Sequence, residues 1–178
     1  MRKVVLLLLF AFPAVASAGW INKAGESLPE SNDRKSNGDF GAHMIFVADE
    51  DELFKRWSTP GKSVDVKTID QVQVNGSINA FVIFSGCKPD ATGNCSVAMT
   101  FRVVQPDGKV YAETPPMEVW SDKPAPRGRS LELSVQYLKI VIEPSDQLGK
   151  YVISTQVRDN NSGKVLKLVG PFTAAKAK

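Results

Sequence analysis

Two cysteines, Cys87 and Cys95, are the only thiols in a chain of 178 residues, and both lie in "FSGCKPDATGNCSVAMTF". A cysteine pair serves as a structural disulfide, a metal clip or a redox dithiol. Zinc wants four ligands, yet the single histidine, His43, is far away in sequence and the thiols lack a Cys-x-x-Cys spacing. Reactive dithiols sit at helix N-termini that stabilise the thiolate. Here the pair brackets "KPDATGN", rich in turn formers. The expected state is a disulfide closing the mouth of a hairpin between "SINAFVIF" and "SVAMTFRVV".

Other chemistry is sparse. His43 beside Met44 is a copper-type pair that would need further methionines, but Met99 and Met117 read as a core residue and a strand-linker residue. The acidic run from Asp49 to Glu52 matches a capped helix start and not the alternating ligands of a calcium loop. Neither a nucleophile elbow, an H-E-x-x-H zinc motif nor a phosphate-cradling glycine loop is present, and "GDFG" has no strand before it. No catalytic residue, metal site or cofactor is therefore assigned. One surface candidate remains. In "PPMEVWSDKP" the alternation turns Met117 and Val119 inward and Trp120 outward at a proline-flanked edge, where an indole can anchor an interface. The competing reading folds Trp120 under the neighbouring Pro-rich loop.

These residues belong to an exported chain. "MRKVVLLLLFAFPAVASAGW" has a basic start, a short apolar core and a small-x-small cleavage pattern, so residues 1–18 read as a signal peptide. The apolar run is too short to span a bilayer, and no later segment approaches that length. Cleavage leaves about 160 residues, one domain's worth, in an oxidising compartment: the periplasm if the source is bacterial, otherwise the exterior. Against 22 basic residues stand 19 acidic ones, and the leader removes Arg2 and Lys3. A nearly neutral chain argues against nucleic acid and against anionic membranes. The basic cluster of Lys123, Arg127 and Arg129 reads as a solvated connection. Asn-x-Ser matches at Asn75, Asn94 and Asn160 matter only in a eukaryotic secretory pathway.

The elements follow from periodicity. Residues 19–43 are polar and turn-rich, which predicts a loosely docked arm. Asp49 as N-cap, Glu52 three residues on and Pro60-Gly61 as a stop predict one short helix near 50–58, with Leu53, Phe54 and Trp57 as its apolar stripe. Beyond Ser63 the period becomes two. "INAFVIF" suits a strand covered on both faces, and Val97, Met99, Phe101 and Val103 form the buried side of a hairpin strand. Leu131, Leu133, Val135 and Tyr137 form an inward set out of phase with Ile140 and Ile142, which predicts a break near Tyr137-Leu138. Seven or eight strands are expected. The fold class is all-β, a two-sheet antiparallel sandwich over residues 44–178.

The C-terminal "EPSDQLGKYVISTQVRD" resembles the E–F corner of immunoglobulin-like and fibronectin-like sandwiches. The resemblance implies that Tyr151, after Asp146 and Gly149, is a corner tyrosine bonded back to the corner backbone. One extra residue separates Asp146 from Gly149, and no cysteine follows on that strand. The expected function is that of a non-catalytic exported module acting through contacts with another envelope or secreted protein. A small-ligand or copper carrier is the alternative, and an enzyme the third possibility.

Overall fold

The computed structural model describes residues 20–21, 26–59, 64–128 and 130–176. The leader, Pro60-Gly61 and Arg129 lie outside the described residues. In chain order the elements are β1 (Arg34–Asn37), β2 (Phe40–Val47), α1 (Glu50–Trp57), β3 (Gln71–Gln73), β4 (Ser77–Ser85), β5 (Asn94–Val104), β6 (Val110–Glu113), β7 (Met117–Pro124), β8 (Glu132–Leu133), β9 (Leu138–Val141), β10 (Gly149–Asp159) and β11 (Val165–Ala175).

Two sheets stack. One has the order β1-β2-β4-β8 with β9 also on β4, and the other β3-β11-β10-β5-β6 with β7 also on β5. All pairings are antiparallel except that of β3 with β11, which is parallel. The eleven strands exceed the expected seven or eight because two edge strands are split and because β1 to β3 carry little hydrophobic alternation. The predicted arm is corrected over its last third: Arg34–Asn37 and Phe40–Val47 form a hairpin, so the sandwich begins well before residue 44. Polar side chains on β1 hide that pairing, because an edge strand buries little.

The core obeys the alternation. Val97, Met99, Phe101 and Val103 of β5 lie beside Tyr151, Ile153 and Val157 of the neighbouring β10 on one inward face, in one buried cluster. β4 has both faces covered: Ile78, Ala80, Val82 and Phe84 enter that core, while Phe81 and Ile83 pack with Leu53 beneath α1. The helix starts as predicted, with the Asp49 carboxylate accepting from the Glu52 amide at 2.8 Å. It lies on the outer face of the first sheet.

The break before β9 is present, but two members of the proposed inward set are not buried. Leu131 is 47% and Val135 56% exposed, because the strand ends at Leu133. There Ser134 replaces a carbonyl with its hydroxyl: its amide donates to Val82 O and its Oγ accepts from Val82 N at 3.1 Å. Thr114 does the same between β6 and β7, with its amide donating to Phe101 O and its Oγ1 accepting from Phe101 N at 2.9 Å.

Cys87 and Cys95 are disulfide-bonded, with Cα atoms 6.0 Å apart. The bond does not close a hairpin, as expected from the flanking strands, because β4 and β5 belong to different sheets. It staples a crossover. The buried Asp159 carboxylate accepts from the Lys88 amide at 3.0 Å, and the Asn161 side chain donates to the carbonyls of Lys88 and Asn94. These bonds tie the same loop to the β10–β11 turn.

The corner has the implied geometry. Tyr151 is fully buried, its hydroxyl donates to Gln147 O at 2.9 Å, and its ring stacks on Phe172. Asp146 accepts from the Glu143 amide and from the Tyr111 hydroxyl, while Gly149 adopts a φ of 130°. Burial, with the Asp146 hydrogen bond behind it, pushes the Tyr111 phenol up to about 12.

Two stability outcomes follow from these contacts. Replacing both cysteines by serine should cost about 2.5 kcal/mol, the loop-closure value for so short a ring, with the fold retained through Asp159 and Asn161. Urea unfolding checks it, and an unchanged midpoint would remove the staple. Tyr151→Phe should cost about 1 kcal/mol, since one bond is lost while the ring stays packed. A neutral result would show that the corner bond contributes nothing.

Candidate functional site

The side of the sandwich where β2 meets β11 is not sealed by strand pairing. β1 accompanies β2 only as far as His43, and β3 joins β11 only at Thr173. Two straps bridge the gap. In the first, Asn32 O accepts from the Val169 amide at 2.7 Å and Asp33 O from the Met44 amide at 2.8 Å. In the second, the Ile69 amide donates to Phe46 O at 2.9 Å and Asp70 O accepts from the Thr173 amide at 2.8 Å.

Between the straps opens a cleft of about 710 Å³. Asn32, Asp33, His43, Thr68 and Asp70 contribute polar lining, while Met44, Phe46, Ile69 and Pro171 contribute apolar lining. Gly170 sets how closely the walls approach. A Cβ there would lie 2.8 Å from the Phe46 ring and 3.0 Å from Met44 Cε, so the inner face of β11 has no room for a side chain at this position.

His43 stands beside this seam. The Trp20 indole meets its ring edge-on at 5.7 Å and donates to Lys35 O, docking the start of the described chain on the first sheet. His43 Nε2 lies 3.6 Å from Asp33 Oδ2. Burial outweighs that carboxylate and holds the imidazole below its usual pKa. Burial alone would raise Asp33, but the Ser31 hydroxyl, a backbone amide and His43 hold it below the usual carboxylate range. The polar side-chain partner of His43 is thus a carboxylate. His43 and Met44 point to opposite sides of β2, Met44 being 2% exposed, so the two do not share an ion. Among the described residues no group of three or more His, Cys, Asp or Glu side chains is placed to hold a metal.

Trp120 is not the outward anchor that alternation implied. β7 is bulged, with Val97 opposite Trp120 but Ala98 opposite Glu118, so the extra residue Val119 shifts the phase. The indole is half-buried against Phe84, donates to Pro124 O at 3.2 Å, and carries the Lys123 ammonium 5.0 Å above its ring. That is the alternative reading, an indole folded under the Pro-rich connection. The sequence reading singled out His43 but missed the seam, because Asn32, Asp33, Thr68 and Asp70 carry no motif. Only tertiary structure brings them together.

No protein-family model matches the chain, and no curated protein matches it. Among solved structures it is similar to the C-terminal domain of wzt, at 10% identity over 82% of this chain and 78% of that one, with a TM-score of 0.43. It is similar also to a Niemann-Pick type C2 protein from the Japanese carpenter ant, at 10% identity over 74% and 89% of the two chains and a TM-score of 0.40. A third likeness is to a CARDB domain from Pyrococcus furiosus solved with di-metal ions, at 17% identity over 61% and 83%, with a TM-score of 0.36. These likenesses concern the β-sandwich arrangement. No site residue is carried over from them.

The His43 environment predicts a pH dependence. Its folded pKa lies below the unfolded value, so the unfolded chain takes up the proton first as pH falls. The stabilising contribution is present above about pH 6.5 and is lost as pH falls through the folded value. His43→Gln should flatten the slope of unfolding free energy against pH in that window. An unchanged slope would mean that burial does not hold the imidazole neutral.

Proposed function

We propose that this protein is a non-catalytic, exported binding module of immunoglobulin-like type that acts through protein–protein contacts at the seam between β2 and β11. The observation that carries the reading is the cleft itself, where two sheet edges are held apart by paired straps. Loops and edges of rigid sandwiches are where such domains bind. The corner built by Asp146, Gly149 and Tyr151 supports the immunoglobulin-like assignment. The disulfide suits an oxidising compartment, as the leader at residues 1–18 implies. No helix among the described residues is long and apolar enough to cross a membrane. The partner is then another envelope or secreted protein, in the periplasm of a bacterium or outside the cell otherwise.

The test is positional. A photo-crosslinking amino acid placed at Thr68, on the rim of the cleft, should yield discrete adducts in cells that make the protein. The same group at Arg158, exposed on the outer face of the other sheet, should not. Equal adducts from both positions, or none from Thr68, would remove the seam as the binding surface.

A further inference from the structure

The chemistry of the seam narrows what it takes. We propose that it receives a cationic side chain, the ammonium of a lysine or the guanidinium of an arginine, presented by a partner protein; this rests on the seam being the binding surface.

Backbone donors at this edge are largely spent: the amides of Met44, Ile69, Val169 and Thr173 are bonded within the straps, and Pro171 has none to offer. Carbonyls, by contrast, have a second lone pair even when bonded. The edge therefore presents mainly acceptors, and a ligand rich in donors matches it.

Among the residues lining the cleft the ionisable ones are Asp33, His43 and Asp70; one cation, Arg34, stands beside the lining and acts on both Asp33 and His43, so two carboxylates are set against a single guanidinium. Asp33 is held in its ionised form by its hydrogen bonds, and His43 is kept neutral by burial and adds no opposing charge near pH 7. A cation gains from this field, whereas an anion is repelled.

Phe46, Ile69 and Pro171 line the space with apolar surface, which a methylene stem covers while its charged head stays at the polar rim. An aromatic ring beside the stem adds a further attraction for a cation. A purely apolar ligand would fit that surface but leave the carboxylates and carbonyls without donors.

The experiment uses isotope-labelled protein titrated with four capped tripeptides, acetyl-Ala-Lys-Ala-amide, acetyl-Ala-Arg-Ala-amide, acetyl-Ala-Leu-Ala-amide and acetyl-Ala-Glu-Ala-amide, followed by amide chemical shifts. The lysine and arginine peptides should move signals from residues 32–33, 43–46, 68–70 and 169–170. Asp70→Asn should weaken them by roughly five-fold, the upper end for one exposed ion pair. Asp70 is exposed and the fold uses its carbonyl, so this variant should keep the wild-type spectrum elsewhere. Equal shifts at the seam from the leucine or glutamate peptide would overturn the cationic assignment, and so would silence from all four. Crosslinking at Thr68 judges the seam separately, since adducts there alongside silent or indiscriminate peptides would leave a binding surface of other chemistry.

Discussion

The fold is organised by a strand with no face to give to water. β4 is apolar at nearly every position, and burying a large aliphatic or aromatic side chain contributes about 1.5–3 kcal/mol, so both of its faces must be covered. The second sheet covers one, through Ile78, Ala80, Val82 and Phe84. The other recruits α1, whose eight residues are too few to be helical alone. Phe54 packs edge-on against Phe81, and Tyr137 stacks on Phe81 with ring centroids 4.4 Å apart. The one polar residue between the strand's terminal serines directs this docking. The Nδ2 of Asn79, fully buried, shares its two hydrogens among Val47 O, Ala48 O and a Glu50 carboxylate oxygen, and Lys139 and Tyr137 donate to the other oxygen. The start of the helix is thus pinned by a strand far away in sequence.

Much of this was legible because period-two alternation is strong wherever one face is buried. β5 and β10 show their inward residues plainly, and the capped start of α1 needed only Asp49 and Glu52. The corner tyrosine was readable because glycine and aspartate leave a local signature. Legibility stopped where a single residue shifts the phase. The extra Val119 turns Trp120 inward, and no local residue type announces a bulge. It stopped also at β1, whose side chains are polar, and at the crossover, since the disulfide spacing is the same whether the flanking strands pair or part. Thr155 shares the inward face of β10 with Tyr151, Ile153 and Val157 although its hydroxyl is buried without a partner, so alternation prevailed there over hydrogen bonding.

The two sides of the sandwich differ in how they end, and that difference bears on where binding occurs. On the side away from the seam, both edge strands are broken. Thr114 and Ser134 complete the ladders with hydroxyls, Pro115 and Pro116 withhold amides next to Thr114, and the indole of Trp120 closes over Phe84. Short, interrupted, proline-bearing edges are poor templates for another strand. That side is finished.

The seam is unfinished in a different sense. Its backbone donors are consumed by straps rather than by strands, so β2 and β11 stay too far apart to pair yet too well satisfied to zip onto a foreign strand. A fully open edge would accept any extended chain through main-chain bonds, with little discrimination. Spending the donors on Asn32, Asp33, Phe46 and Asp70 carbonyls leaves recognition to side-chain chemistry in the cleft: carboxylates at the rim and apolar walls held near one another by Gly170. On the proposed reading, specificity comes from what the site refuses, an anion or a purely apolar group, as much as from what it attracts. The same straps that close the sandwich would, on that reading, convert a generic edge into a selective one.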